Sequence, residues 1–226
     1  MRYMNIGILV AVEFDAFYNI YGEPIEKFKH GYLEVFKYHI HGKDVYVAAS
    51  NAGQIRASIA MTTLVEIYHC EIILNYGVVG ALREQEVEEL AVVQNVVHYD
   101  WDVSEVDVIE KGRYSMFDST MIPVSKRLVD LAVKLDPNLE KVNLASGDKF
   151  VDSRADREKL YKEWNCDIVD MEGASIALCS YLFGVECLMI KAVSDTLETG
   201  GQGFYENFER ASKVAVKLID DLILNL

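Results

Sequence analysis

Short runs of consecutive apolar, mostly β-branched residues recur along this chain, each closed by a turn signal and most followed by a helical stretch. Seven of them read as strands: Ile6–Ala11, Val45–Ser50, Ile72–Tyr76, Ala91–His98, Val142–Ala145, Asp167–Val169 and Leu188–Val193. Several are apolar at successive positions instead of alternating, the pattern of strands covered on both faces. Tyr32–Ile40 leads into His41-Gly42-Lys43-Asp44, which reads as a hairpin turn. Between the strands, Gln54–His69 carries Ile55, Ile59, Thr63 and Ile67 at four-residue spacing, and Ser125–Leu135 puts Leu128, Leu131 and Leu135 on one stripe. Glu172–Phe183 runs into Gly184, a suitable glycine just past a helix end, and Phe204–Leu226 is a long amphipathic helix. Strands alternating with helices predict one three-layer αβα domain over residues 1–226, with a mixed, mainly parallel central sheet.

Ligands of such sheets bind beyond the carboxyl ends of the strands. Val12-Glu13-Phe14-Asp15 follows the first strand, and Gly77-Val78-Val79-Gly80-Ala81 follows Ile72–Tyr76 as a small-residue turn that lets backbone approach a ligand. Ser146-Gly147-Asp148-Lys149-Phe150-Val151, Asp170-Met171-Glu172-Gly173-Ala174 and Ser194-Asp195 follow three later strands. These ends offer carboxylates, backbone amides and one aromatic ring. A phosphate-binding Gly-rich loop, zinc-ligand spacing and a nucleophile elbow are all missing.

The 36 acidic residues outnumber the 22 basic ones, for a net charge of −14. With no cluster of Lys or Arg, neither nucleic acid nor an anionic membrane is an expected partner. No apolar run approaches the roughly 20 residues a membrane span needs, and Met1–Ala11 is too short an apolar run for a signal peptide. Cys70, Cys166, Cys179 and Cys187 are widely spaced in apolar stretches, as reduced buried thiols would be. The expectation is a cytoplasmic protein.

The strand-end segments resemble the nucleoside phosphorylase/hydrolase family, in particular its bacterial 5′-methylthioadenosine/S-adenosylhomocysteine nucleosidase branch. The resemblance covers nearly the whole chain. It is carried by Ile6-Gly7-Ile8 with the acidic residues after it, Ser50-Asn51-Ala52-Gly53, Asn75-Tyr76-Gly77-Val78-Val79-Gly80-Ala81 and His98-Tyr99-Asp100-Trp101-Asp102-Val103. Ser146-Gly147-Asp148-x-Phe150, Val169-Asp170-Met171-Glu172-Gly173-Ala174 and Ala192-Val193-Ser194-Asp195 complete it in family order.

The resemblance implies a nucleoside phosphorylase-like fold and cleavage of a purine N-glycosidic bond without cofactor or metal. It implies that Asp195 is the general acid at purine N7, oriented by Ser194, since protonation neutralises the leaving base. Glu172 would accept from the ribose hydroxyls, with the backbone of Met171 beneath the sugar. Phe150 would stack on the base, the backbone of Val151 would read its edge, and Tyr205 would wall the 5′ pocket. An acidic residue after the first strand activates water, and Asp15 falls there where the family usually has Glu, with Glu13 as the fallback. Val78 replaces a small hydroxyl residue of the glycine turn, and Lys191 replaces an arginine. Asp15 and Lys191 are expected to act as a pair around the water. The resemblance also implies a role in methionine salvage and a homodimer with Tyr99–Val108 at its interface.

Two rivals stand beside hydrolysis: a purine nucleoside phosphorylase, with Lys191 and Arg56 as the candidates for holding phosphate, and a catalytically weak nucleoside-binding relative. Single residues also have plainer readings. Asp195 could cap a following helix, and Asp170 is the better candidate for a helix-first-turn carboxylate than Glu172. His39 and His41 face the same way on a strand, but an exposed hairpin accounts for them better than a metal. Glu84–Glu89 reads as a solvated acidic loop.

Overall fold

The computed structural model describes residues 4–226; Met1, Arg2 and Tyr3 of the N-terminal stretch lie outside the described residues. The elements run β1 (Asn5–Val10), α1 (Phe14–Tyr21), β2 (Glu26–His30), β3 (Leu33–Ile40), β4 (Lys43–Ala49), α2 (Gln54–Thr62) and β5 (Cys70–Ala81). Then follow β6 (Leu90–His98), β7 (Ile122–Pro123), α3 (Lys126–Leu135), β8 (Glu140–Ser146), α4 (Arg154–Trp164), β9 (Ile168–Asp170), α5 (Gly173–Phe183), β10 (Glu186–Asp195) and α6 (Gly200–Asn225).

Strand alternation sends Ile6, Ile8 and Val10 of β1 to one face of the sheet, where α1, α3 and α6 cover them, and Leu9 to the other, under α2 and α5. That double cover explains the unbroken apolar runs. The centre of the sheet is parallel, β4–β1–β5–β10, and the antiparallel β2–β3–β4 meander forms one edge. At the hairpin between β3 and β4, His41 and Gly42 both take positive φ, 49° and 77°, as a tight two-residue turn requires. His39 there pairs with Asp44 on the surface.

Two helix boundaries follow local chemistry. Ser125 accepts from Leu128 N at 3.3 Å and starts α3. Gly184, at φ 68°, ends α5. The predicted helix Gln54–His69 changes character at Thr63, continuing to Ile67 as a wider π turn, and α6 begins at Gly200, four residues before the predicted Phe204.

The expected turn Gly77–Ala81 is instead strand. β5 runs on to Ala81, pairing with β1 through Asn75, with β10 through Gly80, and with β9 at Gly80 and Ala81. Because β9 pairs β8, β8 pairs β6 and β6 pairs β10, the sheet closes on itself through β5. The reason is packing: a Cβ on Gly77 would stand 2.9 Å from Glu13 Oε1, and one on Gly80 would stand 2.9 Å from Asp195 Oδ2. The glycines give room to carboxylates, not to a bend.

Candidate active site

Where β1, β5, β9 and β10 end together, a cavity of about 180 Å³ opens. Its wall takes Ala11, Val12 and Glu13 from β1 and the residues after it, Ala52 from the loop after β4, and Val78, Val79 and Gly80 from β5. Phe150 comes from the loop after β8, Val169, Asp170, Met171 and Glu172 from β9 and its end, Ser194 and Asp195 from β10, and Phe204 from α6. The architecture thus delivers four carboxylates to one hollow.

Each carboxylate is held differently. Asp195 is 1% exposed; its Oδ1 accepts from Ser194 Oγ at 2.5 Å, and its Oδ2 from Arg157 Nη2. It caps no helix, since α6 starts after Thr199. Glu13 Oε1 accepts from Val78 N at 3.0 Å and Oε2 from Val12 N at 2.9 Å. Asp170 receives the Gly173 and Glu172 amides at 3.0 and 3.2 Å, capping α5, and pairs with Lys191 at 2.9 Å. Glu172 accepts from Gly53 N at 2.7 Å. Burial, then the neighbouring Asp170 carboxylate, pushes the Glu172 carboxyl up to about 8, against the pull of Lys191 and the Gly53 amide. Burial works against the charge on Lys191, yet Asp170, Glu172 and Glu13 together hold its pKa above the ordinary lysine value.

Most of the residues expected at the site gather there: Phe150, Met171, Glu172, Val78, Ser194 and Asp195 line the cavity, and Val151 lines a small adjoining hollow beside Phe150 and Asp195. Three expectations need correction. Asp15 is exposed on the first turn of α1, off the cavity wall, while Glu13 is buried and faces in, because helix α1 starts at Phe14 and its turn carries Asp15 to the solvent side as Ala16 and Phe17 face the core. Lys191 therefore makes no pair with Asp15; it is buried and bonded to Asp170. Tyr205 is 85% exposed, and its neighbour Phe204 lines the wall, edge-on to Phe150 with ring centres 5.7 Å apart. A helix rotates successive side chains by about 100°, so only one of the two can face in. Arg56 lies on a separate cavity with His30, Tyr32 and Asn51.

The sequence profile of the Phosphorylase superfamily matches residues 5–224. The chain belongs to this superfamily. Its similar relatives include an aminodeoxyfutalosine nucleosidase of Helicobacter pylori (strain J99), 29% identical, with 97% of this chain and 98% of that protein aligned. A 5′-methylthioadenosine/S-adenosylhomocysteine nucleosidase of Desulfotalea psychrophila is 25% identical over 99% and 98% of the two chains. Among solved structures, the Helicobacter pylori 5′-methylthioadenosine/S-adenosylhomocysteine nucleosidase in complex with a substituted pyrrolidin-3-ol superposes with a TM-score of 0.94 at 29% identity, covering 100% of both chains. These matches settle the nucleoside phosphorylase-like fold.

Within this superfamily member, three site residues had little or no signal in the sequence. Glu13 and Asp15 share a strand parity, so periodicity could not choose between them. Arg157 sits in Arg154-Ala155-Asp156-Arg157-Glu158-Lys159, which reads as a solvated helix face, yet it is 1% exposed. Gln54 is a third tie: its amide N meets Asp148 Oδ1 and its side chain bridges Ser146 Oγ and Ser175 N, fixing the loop that holds Glu172. Among the described residues, no three His, Cys, Asp or Glu side chains converge as a metal site would require, and no helix is long and apolar enough to cross a membrane.

Proposed function

We propose that this chain hydrolyses the N-glycosidic bond of an adenosine-type nucleoside, 5′-methylthioadenosine, S-adenosylhomocysteine or a close relative, releasing adenine and the 5′-substituted ribose. The observation that carries the choice of water over phosphate is electrostatic. Glu13, Asp170, Glu172 and Asp195 line the cavity, and none of its described lining residues is a lysine or arginine. The buried cations Lys191 and Arg157 are already bonded to Asp170 and Asp195, and Lys149 of the adjoining hollow is paired with Asp156. A phosphate dianion would enter a hollow of carboxylates with no free donor charge, whereas water needs none.

In this reading Asp195 protonates N7 of the base, with Ser194 holding its other oxygen. Phe150 stacks on the ring, the Val151 backbone reads its edge, and Met171 lies under the sugar. Glu172 takes the ribose hydroxyls, and Glu13, fixed by two backbone amides, aligns the water. Val12 and Ala52 leave the 5′ end wide, with Phe204 as its aromatic wall. The chain would work in the cytoplasm, in methionine salvage or a parallel nucleoside-recycling step. It would form a homodimer through Tyr99–Val108, the segment after β6, where Val106 and Val108 are 89% and 100% exposed and Tyr99 anchors the start in the core.

The test is chromatographic release of free base from methylthioadenosine, S-adenosylhomocysteine, adenosine, inosine and aminodeoxyfutalosine, each with and without phosphate. Release independent of phosphate is expected. Release only with phosphate, or binding without release, overturns the reading.

A further inference from the structure

Arg157 is the least expected feature of the site. It stands in the first turn of α4, yet its guanidinium reaches the small hollow beside the cavity and directs its donors to three segments. Nε donates to Val151 O at 2.8 Å; Nη1 meets Ala81 O, Asp195 O and Thr196 O at 3.4, 3.2 and 3.0 Å; Nη2 meets Asp195 Oδ2. Gly80 makes room for the pair, since a Cβ there would lie 3.2 Å from both Cζ and Nη2 of Arg157. Arg157 and Asp195 also share the small hollow of about 30 Å³ that adjoins the main cavity. Ser194 Oγ, which also meets Val79 O at 3.3 Å, bonds Oδ1 of Asp195, so the guanidinium has Oδ2 to itself.

We propose that Arg157 is the positioning residue that receives the negative charge left on Asp195 when its proton passes to the departing base. The inference rests on the nucleosidase reading above. In the step, the carboxyl proton of Asp195 moves to N7 as the C1′–N9 bond breaks and its electron pair leaves with the base. Water bonds to C1′ and gives up a proton to Glu13, which returns it to Asp195 through solvent. The net change is nucleoside plus water to free base plus ribose. The guanidinium does not touch the base; it stabilises the conjugate anion in a water-poor site, where such pairing is strong.

The other charged groups facing Asp195 across the two hollows are Glu13, Asp170, Glu172 and Lys149, with Lys191 bonded to Asp170. Lys149 is engaged with Asp156 at 3.0 Å. Arg157 is therefore the one cation bonded to the acid itself among the described residues.

The test is the pH profile of base release by wild type, Arg157→Gln and Arg157→Lys. Arg157→Gln is expected to lower kcat about tenfold or more, part of what a general acid contributes, and to move the alkaline limb of kcat/KM up by about one pH unit or more, because the charge favouring the anion is gone. Arg157→Lys restores the charge without the fork and should return the limb towards wild type. An unmoved limb in Arg157→Gln, or the same limb in both variants, overturns the proposal and leaves the nucleosidase reading standing. Should Arg157→Gln fail to fold, Arg157→Lys against wild type decides: a lower kcat with KM little changed is expected from loss of the planar fork, and wild-type kcat overturns the proposal. Absence of base release by wild type would fault the underlying reading instead.

Discussion

Lys191 Nζ stands 2.9 Å from Asp170 Oδ2, each side chain only 2% exposed, and Asp170 itself belongs to the cavity wall. Two charges withdrawn from water are tolerable only as a pair. Removing one leaves the other uncompensated, at about 3–5 kcal/mol. Lys191→Met should therefore lower thermal stability sharply, whereas Lys191→Arg should keep most of it; melting curves of the two variants against wild type give the answer.

Glu13 and Asp15 should separate cleanly. Glu13→Gln keeps an acceptor for one of the two backbone amides, turns an NH2 towards the other and removes the charge proposed to align water, and base release should fall by about 10²-fold or more. Asp15→Asn changes an exposed helix residue off the cavity and should leave kcat within about twofold, since surface substitutions of this kind are mild. Equal losses in both variants would return the role to Asp15.

Glu172 makes the stability of the empty protein fall as pH rises. Its folded pKa, about 8, lies above the ordinary glutamate value of 4.5, so between those limits the folded state holds the proton and the unfolded state does not. The favourable contribution is complete below about pH 4.5 and lost by about pH 8, with a slope of up to about 1.4 kcal/mol per pH unit. Denaturant titrations across that window should show the decline, and Glu172→Gln should flatten it.

Gly80→Ala would place a methyl group 2.9 Å from Asp195 Oδ2 and 3.2 Å from the Arg157 guanidinium, both rigidly bonded. The acid must shift, and displacement of about 1 Å can cost 10²-fold in rate. Steady-state kinetics should show that loss; a fully active variant would mean the acid is not held where the structure puts it.

Val106→Asp should weaken the proposed homodimer, since a charge in the core of an apolar contact is left desolvated. Sedimentation should then show monomer at concentrations where wild type is dimeric. An unchanged distribution would put the interface elsewhere.

Much of the fold was legible because its strands are buried on both faces: Ile6, Ile8 and Leu9 belong to opposite cores, so the run is apolar throughout. β2, with Glu26, Lys27 and Lys29 outward on the sheet edge, carried no such mark. Phe150, Glu172 and Asp195 were readable because each sits at a strand end in a recognisable segment. The continuation of β5 was hidden, since glycines that clear space for side chains look the same as glycines that turn a chain. Arg157 was hidden for a related reason: a buried arginine and a solvated one differ only in what the fold brings to them.

The unbroken run of β5 has one further consequence. Gly77 backs Glu13 and Gly80 backs Asp195, so the proposed water-aligning group and the proposed acid are indexed to the same strand, three residues apart. That strand acts as a gauge for the reaction, about 10 Å of extended backbone at its fixed rise per residue. Loops around the cavity can lengthen or shorten and alter which nucleosides fit. A single residue inserted between Gly77 and Gly80 would set the two ends of the chemistry out of step, however well the rest of the molecule folded.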